Sequence, residues 1–107
     1  MALTCLTAGS VLFATGEFIY TNNPDNFAEQ STSAYLRKNS DTGRYSFDGC
    51  SRRIDNNNLV QIVCHGQVQS LMHGGHPVWK AISCRQNFNY KPSVGKYLVK
   101  VMPECTE

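Results

Sequence analysis

Residues 22–43, NNPDNFAEQSTSAYLRKNSDTG, decide the fold of this chain because they predict one helix with a defined start and end. Asn23 can cap the helix, Pro24 suits its first position, and Asp25 complements the positive end of the helix dipole. Arg37 and Lys38 favour the opposite end, after which NSDTG stops the helix. We expect this to be the only long helix of the chain.

The helix carries an apolar stripe formed by Phe27, Ala34 and Tyr35. These residues recur at i, i+7 and i+8 and therefore share one face. We expect that face to dock on a sheet.

The other patterned segments are typical of β-structure. SVLFATGEFIY (10–20) predicts two strands separated by a turn at Thr15-Gly16, and RYSFDG (44–49), NLVQIVCHG (58–66), HPVWKAISC (76–84) and GKYLVKVMPEC (95–105) predict further strands. SRRIDNNN (51–58) and RQNFNYKPSVG (85–95) have the composition of loops. The prediction is an α+β fold in which a single helix packs on a curved antiparallel β-sheet, forming one domain over residues 1–107.

The totals are those of one small globular domain. The chain has 107 residues, of which 41% are hydrophobic and 17% charged, and no apolar run approaches the roughly 20 residues that span a bilayer. The opening MALTCLTAGSVLFATG resembles the apolar part of a signal peptide, but it lacks a basic start and contains several threonines. We interpret it as part of the folded domain, with an uncleaved signal peptide as the alternative.

Five cysteines are many for such a short chain: Cys5, Cys50, Cys64, Cys84 and Cys105. None belongs to a C-x-x-C pair, which argues against a zinc ribbon or a thioredoxin-type site and favours disulfides in a secreted protein. A Cys5–Cys105 bond would close a loop of about 100 residues and could contribute roughly 4 to 5 kcal/mol. The pairing of the other three cysteines stays open.

The charges are unevenly distributed along the chain. The net charge is +2, but no acidic residue occurs between Asp55 and Glu104, a stretch that holds Lys80, Arg85, Lys91, Lys96 and Lys100. Such a half would attract phosphate or another anionic partner. An ordinary solvated surface is the alternative interpretation.

Two histidines, His73 and His76, flank a glycine pair in LMHGGHPVWKAISC (71–84). They could bind zinc with His65, Cys64 or Cys84, act as an acid–base pair, or leave Cys64 as a nucleophile beside His65. The glycine pair opposes the helix that H-E-x-x-H sites require, and no glutamate is present. We favour a glycine-rich turn that leads into a strand, with no metal or cofactor.

Several aromatic residues could stack on bases or fill the core: Tyr35, Tyr45, Phe47, Trp79, Phe88 and Tyr90. A core role is the more frequent one for an aromatic residue in a strand. Trp79 and Lys80 are adjacent in a predicted strand, so one of the two must point outward.

The order of these parts resembles that of the small fungal guanyl-specific extracellular ribonucleases. It also resembles the RNase-like effectors secreted by powdery mildews and other plant-pathogenic fungi. The motifs that carry the likeness are STSAYLRKNSDTG at the helix end, MHGGHPVWKAIS in a glycine-rich loop and strand, MPECTE at the closing cysteine, and LTC near the start, where Leu3 replaces a tyrosine.

The catalytic residues implied by this resemblance are absent here. Gln61 stands near the place of the catalytic glutamate, Lys80 near that of the arginine and Phe47 near that of a histidine, while KYLVKV contains no histidine. Glutamine cannot act as a general base, and lysine lacks the bidentate fork of arginine. Since one missing group commonly lowers the rate by about 10² to 10⁴, the resemblance implies a ribonuclease-like scaffold without activity.

The expected function is that of a secreted fungal effector, monomeric, that binds a host protein or RNA and is open to recognition by a plant immune receptor, outside the host cell or after translocation into it. The residues expected to be displayed for binding are His73, His76, Trp79, Lys80, Arg85, Phe88 and Tyr90. One alternative is an active small secreted ribonuclease that uses His73 or His76 for proton transfer and Lys80 or Arg85 for phosphate. Another is a secreted toxin or carbohydrate-binding module.

Overall fold

The computed structural model describes residues 17–107 and contains one helix and six strands. The elements are β1 (Phe18–Thr21), α1 (Pro24–Asn39), β2 (Tyr45–Asp55), β3 (Leu59–Leu71), β4 (Pro77–Lys91), β5 (Lys96–Lys100) and β6 (Glu104–Thr106). The strands form one antiparallel sheet in the order β1-β5-β4-β3-β2, and β6 also pairs with β4. The predicted α+β class, with one helix on an antiparallel sheet, is confirmed.

The helix begins where its capping residues predict. The backbone nitrogen of Asn26 donates to Asn23 Oδ1 at 3.1 Å, and Pro24 occupies the first helical position. Asp25 in the first turn accepts a hydrogen bond of 2.6 Å from Arg52 of β2. No helix among residues 17–107 is long and apolar enough to cross a membrane.

The face of α1 that docks on the sheet differs from the predicted one. Its buried residues recur at every fourth position: Pro24, Ala28, Thr32 and Leu36. Phe27 and Tyr35 are only partly buried and Ala34 is exposed, so the predicted apolar stripe lies beside the contact with the sheet. Small side chains at Ala28 and Thr32 let the helix approach the sheet closely.

Three strands are longer than predicted, including β3, which continues through residues 67–71. Residues 51–55 continue β2 and residues 85–91 continue β4, although both segments have the composition of loops. Only the side chains that face the helix must be apolar, and polar residues on the other face pair across the strands, as Gln61 Nε2 does with Asn87 Oδ1 at 2.9 Å. Residues 95–105, predicted as one strand, form β5 and β6 separated by Val101–Pro103.

The core lies between α1 and the sheet. Its largest fully buried side chain is Phe88, which packs edge-on against Phe27 of the helix. Gly66 of β3 is required where Leu36 of the helix and β2 approach β3, because a Cβ atom there would clash with Leu36 and would lie 2.6 Å from the carbonyl oxygen of Ser46.

The two disulfides join neighbouring strands. Cys50–Cys64 links β2 to β3, and Cys84–Cys105 links β4 to β6. The predicted disulfide stapling is therefore confirmed, but the predicted Cys5–Cys105 bond is wrong. Cys105 lies directly opposite Cys84, with 4.0 Å between the Cα atoms. Because its sulfur is bonded to that of Cys84, Cys105 cannot also bond to Cys5. Cys5 and the first predicted strand lie outside the described residues.

Candidate functional site

The face of the sheet opposite α1, called here the open face, is polar at its centre. Along β3 every second residue from Val60 to Ser70 is buried toward the helix, whereas the alternate residues are partly or fully exposed. The side chains of Gln61 and His65 therefore belong to the open face, and the register aligns them with Asn87 and Ser83 of β4.

Three side-chain pairs cross the open face in successive rows. Gln61 bonds to Asn87, His65 Nδ1 lies 2.9 Å from Ser83 Oγ, and Arg85 donates to Glu104 Oε1 at 2.9 Å. The last pair joins β4 to β6. These contacts form a hydrogen-bonded polar strip at the middle of the sheet.

Arg85 fixes the charge of Glu104. Its hydrogen bond, and secondly its positive charge, hold the pKa of the Glu104 carboxyl below the ordinary value. Glu104 is therefore ionised and paired at neutral pH, which makes it a poor proton donor. The strand spacings put the Cα atoms of His65 and Glu104 about 12 Å apart, with β4 between them.

Lysines collect on the part of the open face that β4 and β5 form. Lys91 lies directly opposite Lys96, and Lys100 follows on the same face of β5. Like charges in cross-strand positions repel each other, so this part of the face favours an anionic ligand.

Exposed aromatic side chains accompany these cations. Phe18 of β1 is opposite Lys100 and is 54% exposed, and Tyr20 on the same face is 47% exposed. Trp79 of β4 is 49% exposed at the other end of the open face. The combination of exposed rings and lysines on one side of a sheet is typical of surfaces on which bases stack.

Two shallow depressions, of about 230 and 240 Å³, flank the Arg85–Glu104 pair. Phe18 and Lys100 line the first, together with Gln86, which is only 5% exposed. Gln86 Nε2 donates to the Lys100 carbonyl at 3.2 Å, while its Oε1 has no hydrogen-bond partner within residues 17–107. The side chain of Gln86 belongs to the buried, helix-side alternation of β4, opposite Ile62, so this unpaired acceptor is not part of the open face.

The histidines of the glycine-rich segment lie away from this site. His73 is in a short 3₁₀ turn between β3 and β4, His76 follows it, and both are exposed. The nine residues from His76 to Arg85 span about 30 Å of extended strand. The two histidines and Arg85 therefore cannot act on the same phosphate.

The remaining residues predicted for display divide between the two faces of the sheet. Trp79 and Arg85 lie on the open face, whereas Lys80 is on the helix side and pairs with Glu107 at 3.7 Å. Tyr90 is half-buried against Tyr97, with 5.1 Å between the ring centres. The prediction that Phe88 is displayed for binding is wrong. Side chains alternate along β4, so Phe88 points to the side opposite Arg85, into the core, where it is 0% exposed.

Zinc binding by Cys64 or Cys84, and nucleophilic attack by Cys64, would each require a free thiol. Cys64 and Cys84 are both in disulfides, so neither supplies a thiolate to zinc or a nucleophile beside His65. Within residues 17–107 no group of three histidine, cysteine or acidic side chains could hold a metal ion.

The positions suggested by the ribonuclease resemblance do not meet on one face. Gln61 lies on the open face, whereas Lys80 and Phe47 are on the helix side. The structure instead pairs His65 with Ser83 and Arg85 with Glu104. The sequence analysis named His65 only as a possible zinc ligand or neighbour of a nucleophilic Cys64, and it did not select Ser83 or Glu104. The signal for His65 is the alternation in QIVCHGQVQ (61–69), where Gln61, His65, Gln67 and Gln69 share one face and Val63 is the apolar exception.

Comparisons of the chain with protein-family models, with curated proteins and with solved structures found no match.

Proposed function

We propose that this protein is a secreted effector of the kind that plant-pathogenic fungi release, built on a ribonuclease-like scaffold that binds single-stranded RNA on its open face without cleaving it. The observation that carries the proposal is the set of exposed rings beside lysines, with Phe18 opposite Lys100 and Tyr20 on the same face. The two disulfides support an oxidising destination, as in secreted proteins.

RNA is favoured over a protein partner by the chemistry of the open face. Lysines lie beside its rings, with Lys100 directly opposite Phe18, and charged residues are depleted from the cores of protein interfaces. Stacking uses single rings, and lysines bind phosphates at the same time. A host protein or an immune receptor that recognises this face is the alternative that the test must distinguish.

The absence of cleavage follows from the proton-transfer groups. Cleavage of RNA requires a base and an acid on opposite sides of one phosphate. His65 is bonded to Ser83, while the carboxylate of Glu104 is held by Arg85 on a different row. Gln61, at the position of the general base in the resemblance, cannot accept the proton.

The test is fluorescence anisotropy with a labelled single-stranded RNA of about ten nucleotides. We expect Phe18→Ala to weaken binding five-fold or more, since one stacked base contributes about 1 to 3 kcal/mol. Lys100→Gln should lower the slope of log K against log salt by about 0.7. Val94→Ala, which shortens an exposed apolar residue in the β4–β5 turn, and Lys38→Gln, on the helix side, are the matched controls.

Gel analysis of the same RNA separates binding from catalysis. Intact RNA at high protein concentration supports the proposal. Cleavage that disappears in His65→Ala, or in the His73→Ala/His76→Ala variant, would identify an active ribonuclease instead. Absence of RNA binding at low salt would leave a protein as the partner of the open face and would overturn the proposal.

A further inference from the structure

A second concave surface lies on the helix side of the sheet, away from the open face. This apolar groove has a volume of about 540 Å³ and runs between α1 and the strands that border it. The helix contributes Phe27, Ser31, Ala34, Tyr35, Lys38 and Asn39. The opposite wall is formed by Ile19 of β1 and by the β5–β6 link, Val101–Pro103.

The groove exists because the sheet is interrupted beside the helix. β5 ends at Lys100 and β6 begins at Glu104. Both strands pair with β4, but the link between them does not. The apolar stripe of α1 faces this link, and the residues of α1 that dock on the sheet lie on the neighbouring face. Phe27, Ala34 and Tyr35 therefore line the groove, which explains why a clear apolar stripe is not fully buried.

The dimensions and chemistry of the groove suit a small ligand. From Phe27 to Lys38 the helix extends about 16 Å, and the volume is within the range of roughly 300 to 1,000 Å³ that is typical of small-molecule sites. Most of the lining is aliphatic or aromatic. A ligand with an elongated apolar part would remove that surface from water.

The positive charge of the groove indicates which polar head group such a ligand would carry. Lys38 is the one charged residue of the lining, and none of the lining residues is acidic. Among residues 17–107 its ammonium group makes no ion pair. An anionic head group near Lys38 would complement this charge.

We propose that the apolar groove binds a single-chain amphiphile, with its hydrocarbon chain between Ile19 and Phe27 and an anionic head, such as a carboxylate, near Lys38. This site lies on the other side of the sheet from the open face and does not depend on the proposed RNA binding; Met102 lines both the groove and the depression beside Phe18.

The test is isothermal titration calorimetry of the full chain with dodecanoate, below its micelle concentration. Dodecanol and dodecyltrimethylammonium carry the same chain with a neutral and a cationic head. We expect saturable binding at one site, with dodecanoate tightest and the cationic ligand weakest. Equal affinities for the anionic, neutral and cationic ligands would overturn the role of Lys38.

Two pairs of variants locate the site. Lys38→Gln should weaken dodecanoate two- to fivefold, as for a surface ion pair, and leave dodecanol unchanged. Arg37→Gln removes the adjacent cation, which lines a different surface of α1, and should change neither ligand. Ser31→Trp should fill the groove and abolish binding of both, whereas Gln30→Trp, on the other side of the helix, should not.

Three results would overturn the proposal. One is the absence of saturable binding. Another is dodecanoate binding that survives Ser31→Trp in a variant whose circular dichroism shows a folded protein. The third is binding that occurs only after Leu12 and Phe13 are replaced by serine, because the apolar start of the chain would then be the natural occupant.

Discussion

Neighbouring side chains in the strands belong to opposite surfaces with different chemistry. Trp79 is exposed on the open face, and Lys80, the next residue, pairs with Glu107 on the helix side. Arg85 and Phe88 likewise point in opposite directions, one into solvent and one into the core. A set of binding residues chosen by closeness in the sequence therefore mixes two faces.

The Asp25–Arg52 pair predicts a pH dependence of stability. The hydrogen bond from Arg52 lowers the pKa of Asp25, so this contact contributes above the unfolded pKa of about 3.9 and is lost as pH falls through the lower folded value. Both side chains are more than one-third exposed, which limits the contribution to about 0.5 kcal/mol. Asp25→Asn should lower the free energy of unfolding by this amount at pH 7 and by less at pH 2.

Urea denaturation at the two pH values measures this difference. Glu29→Gln removes another exposed carboxylate of α1 that makes no ion pair within the described residues, and it should change little at either pH. A loss of stability in Asp25→Asn that is equal at pH 7 and pH 2 would contradict the ion-pair explanation.

At the scale of secondary-structure elements, β6 is the part of the sheet most dependent on a covalent bond. It has three residues and pairs with β4 over Ser83–Arg85 only. Its central residue, Cys105, is bonded to Cys84. The disulfide therefore keeps a strand in place that is too short to be stable by pairing alone.

Removal of this disulfide should loosen β6 first. The two cysteines are 21 residues apart, so the double variant Cys84→Ala/Cys105→Ala should lose about 3 kcal/mol in the free energy of unfolding. Amide exchange should accelerate at Glu104–Thr106, while β3 remains protected. Denaturation and hydrogen-exchange mass spectrometry would measure the two effects.

Cys5→Ser is the control for this experiment. It should leave the Cys84–Cys105 peptide intact in a non-reduced digest. A digest of the unaltered protein that contains a Cys5–Cys105 peptide would contradict the observed pairing.

At the scale of the whole molecule, residues 17–107 form a slab with principal extents of 52 × 37 × 16 Å. Within this part of the chain, one helix on one sheet makes two layers. One side of the sheet therefore faces solvent, and the helix covers only part of the other side. The two proposed sites occupy these two surfaces, and β1 borders both.

This arrangement predicts that the two ligands bind independently. Phe18 points to the open face and Ile19 lines the apolar groove. Phe18→Ala should weaken RNA binding and leave dodecanoate binding unchanged, and Ile19→Ser should do the reverse. Titration of RNA into the protein saturated with dodecanoate should give the affinity of the free protein. Competition between the two ligands would show that the sites are not separate.

The helix and its boundaries, the α+β class and the formation of disulfides were determined by the sequence alone. Their signals are local: the cap at Asn23, the proline after it, the spacing of apolar residues in each strand, and the number of cysteines. Such features act within one or two turns of chain and do not depend on distant residues.

The disulfide partners, the lengths of β2 and β4 and the composition of both candidate sites were decided only by the tertiary structure. Cys84 meets Cys105, and Arg85 meets Glu104, because β6 returns to β4 after the β5–β6 link. Polar residues such as Asn87 lie in a strand because one side of the sheet faces water. These contacts are fixed by the pairing of strands that are distant in the sequence. That pairing is stabilised by the burial of apolar side chains against α1, and no local sequence pattern specifies it.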